Sequence, residues 1–244
     1  MTKPAHRRAA GAPKVALRET CRVVAGRIPL WPFHRARLEA GGCTDGVLDR
    51  VDELATAAAA DWDSSESPRV RLSVTVGPDG EVAVAVRRRL SSLDVPKGPE
   101  VARVDVEEVP DLPAGSAKPA DRGWWDDAQR RARFDGGHQA VIVGPDGCVI
   151  DGGTATVWIA EGPVLVTPPA PPAIAGVARA FLLRRAPDIL LRIVIEPILW
   201  ERFEAADEAF LTNAFAGAVA VRERGRYVFG AVSEIFEELW RSAG

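Results

Sequence analysis

The tightest restriction on how this chain folds lies between Lys118 and Thr156, in KPADRGWWDDAQRRARFDGGHQAVIVGPDGCVIDGGTAT. The stretch opens on an isolated lysine ahead of a predicted helix, then passes through a strand, a Gly-Pro-Asp-Gly hairpin and a second strand. It ends in a glycine corner marked by Asp151. A lysine and a carboxylate arranged this way can sit on two sides of a flat cationic cofactor. Taken by themselves, the plainer reading is a surface lysine and a turn aspartate, so the rest of the chain has to decide.

At 244 residues, 47% of them hydrophobic, the chain is long enough for a real core in one large domain or two closely packed ones. Its 31 Lys and Arg are diluted by 34 acids, for a formal charge of -3, which argues against nucleic acid as a partner. The basic cluster of Lys3, Arg7, Arg8 and Lys14 lacks the apolar run of a signal peptide and reads as a frayed tail. No window reaches the ~20 apolar residues of a membrane-spanning helix. Cys21, Cys43 and Cys148 are odd in number and widely spaced, and His6, His34 and His138 lack ligand spacing. Neither a disulfide framework nor a metal site is therefore expected, and the expected compartment is reducing and cytoplasmic.

Residues 15–24, VALRETCRVV, alternate as a strand, with Leu17, Glu19, Cys21 and Val23 on one side. A carboxylate in that apolar row is either at a sheet edge or facing a site. His34 and Arg37 then fall on one helical turn beside Leu38. Alone, Arg37 reads as a solvated helix arginine. Residues 46–60 form an amphipathic helix with Val47, Leu48, Val51 and Leu54 inward, followed by an acidic, Ser-rich surface loop over 61–68. Strands are predicted at 70–76 and 81–87 around Gly-Pro-Asp-Gly, and at 101–109, where Ala102, Val104 and Val106 face one way. The triplet Arg87-Arg88-Arg89 reads as exposed edge charge, with anion binding as the other possibility. This half is an α+β layer of antiparallel strands with at least one covering helix. The Pro, Gly and Ser of 110–117 mark a connection between domains.

In the second half a helix is predicted from Arg122 to Phe134, with Trp125, Ala128, Ala132 and Trp124 as its buried stripe. Short paired strands follow at 139–143 and 148–150, then at 155–159 and 163–166. The proline-stiffened loop TPPAPPAIAG delivers the chain to a helix over Val177 to Arg185. Glycine just before that helix leaves its first N–H groups bare, a seat for phosphate or simply for water. A strand at 191–197 and a strand, small-residue corner and strand through AFLTNAFAGAVAV come next. The closing helix is expected to start at an N-cap, Ser233, with Glu234 in its first turn. Phe236 at the third position rules out a full capping box.

The ordered series HRARL (34–38), Lys118, VIDGGTATVWI (149–159), LVTPP (165–169), AGVAR (175–179) and AADEAFLTNA (205–214) resembles the class IV aminotransferases, pyridoxal-phosphate enzymes of fold type IV. The resemblance covers 15 to about 224 and implies an α+β protein. A small α/β domain (1–109) and a linker (110–117) would precede a larger pseudo-barrel domain (118–244), with the cofactor between the domains of what is usually a homodimer. It also implies roles. Lys118 falls at the lysine that bonds the cofactor aldehyde, and Arg37 at an arginine on the phosphate. Asp151 falls where the family has a glutamate on the pyridine nitrogen. Val177 and Ala178 begin the helix whose N–H groups meet the phosphate, and Asn213 and Ala214 lie in the other phosphate-side turn. Such a lysine reacts as the neutral amine, an acid beside the ring nitrogen keeps that nitrogen protonated, and an arginine can fork onto phosphate oxygens as lysine cannot.

Several positions depart from the family pattern. A further N-terminal strand is expected before Leu17, where this chain has a short polar tail, so that strand looks truncated. Asp151 stands for glutamate and Thr156 for asparagine. The tyrosine expected shortly after the lysine is absent, with Trp124 or Trp125 available to fill its volume. The Lys118-x-x-x-Arg122 spacing and TNA-Phe215-AG (212–217) resemble the aminodeoxychorismate lyases. These convert 4-amino-4-deoxychorismate to 4-aminobenzoate and pyruvate for folate supply. The alternatives are a D-amino-acid or branched-chain aminotransferase and a non-catalytic relative that binds pyridoxal phosphate. Any of the catalytic readings implies a small amino substrate whose carboxylate needs a cation, and Arg22, Arg71 and Arg122 are the candidates.

Overall fold

A computed structural model describes residues 12–62, 70–88, 93, 98–223 and 227–243. The expectations for Lys3, Arg7 and Arg8, for most of the acidic loop (63–68) and for Arg89 lie outside these residues. The chain divides into two compact units, Met1–Arg89 with Leu112–Asp121, and Leu90–Asp111 with Arg122–Gly244.

In the first unit, β1 (Leu17–Val23), β2 (Val70–Val76) and β3 (Val82–Arg88) form an antiparallel sheet in that order. Strict alternation decides its faces: Leu17, Glu19, Cys21 and Val23 of β1 and Val70, Leu72, Val74 and Val76 of β2 all point into the core. Helix α1 (Trp31–Ala40) carries Pro32 in its first turn, where no N–H is needed for the helix's own hydrogen bonds. Helix α2 (Asp45–Ala60) buries Leu48, Val51, Ala55 and Ala59 at helical spacing, while Val47 and Leu54 are only half-buried. Small alanines thus complete the stripe in place of the larger side chains. Gly41 ends α1 where a Cβ would lie 2.5 Å from Leu17 and 2.8 Å from Ala117, so only glycine lets these segments meet. Residues 112–121 return to this unit and lie beside β1, with Arg18 N–H donating to the Lys118 carbonyl at 2.9 Å and Ala120 N–H to the Ala16 carbonyl at 2.8 Å.

The second unit holds two sheets. In the smaller, β4 (Val101–Asp105) runs parallel to β5 (Gln139–Val143), which pairs antiparallel with β6 (Val149–Gly152). A parallel pair needs a crossover, and α3 (Gly123–Phe134) lies in it, burying Trp125, Ala128, Gln129 and Ala132. Trp124 is half-buried and donates its indole N–H to the Glu108 carbonyl at 3.2 Å. The larger sheet has the order β11 (Gly217–Glu223), β10 (Glu208–Asn213), β7 (Thr156–Glu161), β8 (Val164–Thr167), β9 (Arg192–Ile195). Its pairings are antiparallel except β8 with β9, whose crossover carries α4 (Val177–Arg185). Helices α5 (Trp200–Ala205) and α6 (Tyr227–Ser242) complete the unit.

Three features differ from the sequence reading. The division does not fall at 109 and 118: β4 joins the second unit because its ladder partner is β5, and Lys118 belongs with the first because its backbone bonds β1. Helix α5 was not foreseen; its one buried residue, Phe203, leaves no periodic trace. Helix α6 begins six residues before Ser233, because Val228, Val232, Ile235 and Phe236 form a continuous buried stripe. Its start is held by Glu208 of β10, whose carboxylate accepts from the N–H groups of Val228 at 3.2 Å and Phe229 at 2.7 Å.

Candidate active site

The first unit brings Arg37 and Lys118 to bear on the same strand. Glu19 of β1 is 1% exposed, and its carboxylate accepts from Arg37 Nε at 2.8 Å and Arg37 Nη2 at 2.5 Å. His34, one turn back on α1, places Nδ1 2.5 Å from the same carboxylate. Burial alone would raise the Glu19 pKa, but the charge of Arg37, with help from His34, outweighs it and holds the carboxyl at about 2. The carboxylate in the apolar row of the edge strand β1 is therefore paired with a cation in the interior. Burial also pushes His34 below its ordinary pKa, against the pull of Glu19, so the ring is a neutral N–H donor.

Lys118 Nζ donates to Thr20 Oγ1 at 3.2 Å. Thr20 alternates with Glu19, so the amine lies towards the row of β1 that also carries Arg18 and Arg22. Arg22 stands directly opposite Arg71 of β2, and Arg71 directly opposite Arg87 of β3. Arg37 and Lys118 both act electrostatically on Cys21 and His34.

The second unit holds the remaining candidates, among them Asp151, which is 4% exposed near the end of β6. Its oxygens accept from the N–H of Gly152 at 3.0 Å and of Ile174 at 3.2 Å. Burial dominates and pushes its pKa up to about 7; the two N–H groups and the charge of Arg122 pull more weakly the other way. The Trp125 indole N–H acts in the same sense without forming a hydrogen bond of standard geometry. Arg122 stacks over the Trp125 ring at 4.9 Å and donates to the Gly153 carbonyl at 2.6 Å, tying the start of α3 to the glycine corner. At Gly152 a Cβ would sit 2.4 Å from the Ala155 carbonyl oxygen, so this corner requires glycine.

Helix α4 starts at Gly176 with no side-chain cap, leaving the N–H groups of Val177 and Ala178 at its positive end. A Cβ on Gly176 would lie 2.3 Å from Thr156 Oγ1, so glycine lets the helix start rest against β7. Asn213 spends its side-chain oxygen on the N–H groups of Phe215 (3.0 Å) and Ala216 (2.7 Å), closing the turn that contains Ala214. Two residues gain a place that the sequence reading did not assign. One is Thr20, the partner of Lys118. The other is Arg179, 8% exposed, which donates to the Pro168 carbonyl at 3.3 Å and interacts electrostatically with Asp151. Arg179 stands in the AGVAR segment, but only the packing of α4 reveals that it is interior.

The fold is that of the fold type IV enzymes. The branched-chain amino acid aminotransferase of Escherichia coli superposes with a TM-score of 0.78 at 16% identity, covering 94% of this chain and 87% of that one. The 4-amino-4-deoxychorismate lyase of Pseudomonas aeruginosa superposes with 0.70 at 22% identity, covering 97% and 96%. The chain belongs to the amino-transferase class IV family, which matches residues 16–223, and the members of that family are pyridoxal-phosphate enzymes. The probable branched-chain-amino-acid aminotransferase of Thermotoga maritima is 30% identical over 164 residues, 66% of this chain and 59% of that protein. The aligned part thus spans less than two thirds of that relative. Among the described residues no group of His, Cys, Asp and Glu could hold a metal ion, and no helix is long and apolar enough to cross a membrane.

Proposed function

We propose that this protein uses pyridoxal 5'-phosphate to move the amino group of a small amino acid, an aliphatic one first. The observation that carries the cofactor reading is Asp151, a buried acid whose pKa is pushed up to about 7 and whose oxygens are aimed by two backbone N–H groups. Such a group answers to the charge of whatever sits beside it, and a protonated ring nitrogen would hold it as the carboxylate. The residues present fit the cofactor in one further way: α4 starts at Gly176 with no side-chain cap, so its first N–H groups can take an anion.

When bound, pyridoxal phosphate supplies an aldehyde that captures amines and a ring that takes up the electron pair left at the substrate α-carbon. The chain's own residues do the rest. Lys118, whose amine donates to Thr20 Oγ1, would be the residue that holds the aldehyde and moves a proton at the substrate α-carbon. Asp151 would keep the ring nitrogen protonated. Arg37 would recognise the phosphate, as would the N–H groups of Val177 and Ala178 and the Asn213-Ala214 turn. Arg22 and Arg71, paired across β1 and β2, would be the cations for the substrate carboxylate.

Transamination comes first because the 30% identical relative is a probable branched-chain-amino-acid aminotransferase. The lyase reading has its own support in Arg122, four residues after Lys118, whose guanidinium bears on Asp151. There it would meet a carboxylate of a ring substrate. The test is to add the cofactor to the purified protein, reduce with borohydride and find the added mass on the Lys118 peptide. Leucine, isoleucine, valine, D-alanine and aminodeoxychorismate are then offered in turn. Oxo acid that forms only when an amino acceptor is supplied supports transamination, and pyruvate released from aminodeoxychorismate without an acceptor assigns the lyase. Cofactor mass on Lys118→Ala equal to that on the parent would sink the cofactor reading.

A further inference from the structure

Arg37 is held more firmly than a phosphate contact alone requires. Its guanidinium meets Glu19 through Nε at 2.8 Å and Nη2 at 2.5 Å, and the same carboxylate takes His34 Nδ1 at 2.5 Å. The cluster is interior, with Glu19 1%, His34 0% and the Arg37 side chain 9% exposed. A buried ion pair gains little stability over an apolar pair of equal volume, because desolvation offsets the attraction. What the fork does provide is direction: two N–H···O contacts fix the guanidinium plane at the end of a long, rotatable side chain. His34 has a matching part. Beside an ionised carboxylate it presents Nδ1–H, while its Nε2 is buried with no hydrogen-bond partner among the described residues. It is a single-donor brace that stops Glu19 from turning away from Arg37.

We propose that Glu19 and His34 are positioning residues that set the plane in which Arg37 meets the phosphate of the cofactor. The proposal rests on the reading of Arg37 given above. Neither residue touches the cofactor in it. Both act through Arg37, from β1 and α1, so the effect is confined to phosphate recognition and spares capture of the aldehyde by Lys118.

The test compares pyridoxal 5'-phosphate with pyridoxal, which has the same aldehyde and ring and no phosphate, by absorbance titration of the full chain. The parent is expected to prefer the phosphorylated form. Glu19→Gln keeps the shape and removes the charge; it should lower that preference about tenfold, the order seen when an outer partner that orients a metal ligand is lost. Binding of pyridoxal should stay as in the parent, and Glu19→Asp should restore part of the preference. His34→Asn should give a smaller fall in the same direction, and it carries the test if Glu19→Gln does not fold. Equal weakening of both ligands, together with a lower thermal midpoint, would mean a purely structural cluster and overturn the proposal. So would an unchanged preference in both variants while Arg37→Lys loses it, and in that case the assignment of Arg37 survives. If Arg37→Lys also keeps the preference, that assignment fails and takes the proposal with it.

Discussion

Glu19 and Asp151, one in each unit, are buried almost equally, at 1% and 4% exposure, yet end in opposite states. Burial pushes both upward. Glu19 is nevertheless held at about 2, because a guanidinium forks onto it from within the core. Asp151 rises to about 7, because its direct partners are two backbone N–H dipoles at 3.0 and 3.2 Å and the charge of Arg122 pulls more weakly. A contacting cation overcomes desolvation where dipoles do not. The first arrangement makes a permanent anion that can serve as a fixed strut. The second makes an acid that changes state near neutral pH, which suits a group that must follow a cofactor's charge.

The sharpest way to break this contrast is to remove the cation. Arg37→Met leaves Glu19 buried without its partner and should cost about 3–5 kcal/mol of folding stability, read by chemical denaturation at pH 7. Adding Glu19→Leu to the same chain should recover most of that loss. A single variant that unfolds with the parent's midpoint would mean that Arg37 is not what keeps Glu19 ionised. The pH dependence has a definite sign. Glu19 has a folded pKa below its ordinary 4.5, so its contribution is present above that pH and is lost as pH falls towards 2.

Asp151 gives the mirror-image experiment. Its folded pKa is raised from 3.8 to about 7, so its contribution is fully present below the unfolded value and is lost as pH rises through the folded one. Between pH 4 and pH 8 the cofactor-free protein should lose on the order of 2–4 kcal/mol from this group alone. Asp151→Asn removes that penalty. The amide turns a donor towards one of the two backbone N–H groups, a loss of about 1–2 kcal/mol. The variant should therefore be less stable than the parent at pH 4 and, with the larger charge penalty relieved, the more stable of the two at pH 8, in parallel denaturant titrations. A variant less stable than the parent at pH 8 would show that the two N–H contacts outweigh the cost of burying the charge.

These two sites were unequally legible in the sequence. Alternation along β1 already placed Glu19 in the apolar row, and the His34–Arg37 spacing put both on one turn of α1. That the three meet is a tertiary fact. Asp151 was visible as a residue at a glycine corner, but its burial depends on Ile174, which the proline-rich loop brings from far along the chain. Family membership was legible because the matching segments are short, local and ordered, each decided by residues within a few positions. The misplaced features are those whose partner is remote. The alternation of β4 is the same whether it pairs with β3 or with β5, and no local signal chooses. Ser233 has the chemistry of an N-cap, yet α6 takes its cap from a carboxylate on another strand.

That carboxylate, Glu208, supplies the finest test of the comparison. It is 3% exposed and, like Asp151, sits on two backbone N–H groups, at 3.2 and 2.7 Å. The difference is that its donors open a sixteen-residue helix, so the negative charge also meets the positive end of the α6 dipole. As at Asp151, an amide here accepts only one of the two N–H groups and points a donor at the other, and it also gives up the attraction to the helix dipole. Glu208→Gln should therefore destabilise the protein at pH 7–8 by about 1–2 kcal/mol, the scale of a lost helix cap. The sign is the decisive part: the same carboxylate-to-amide exchange should stabilise at Asp151 and destabilise at Glu208, at the same pH. Denaturation midpoints of the two variants measured side by side at pH 8 check it. If both move in the same direction, the placement of the donors, at a helix start or in a loop, is not what separates the two sites.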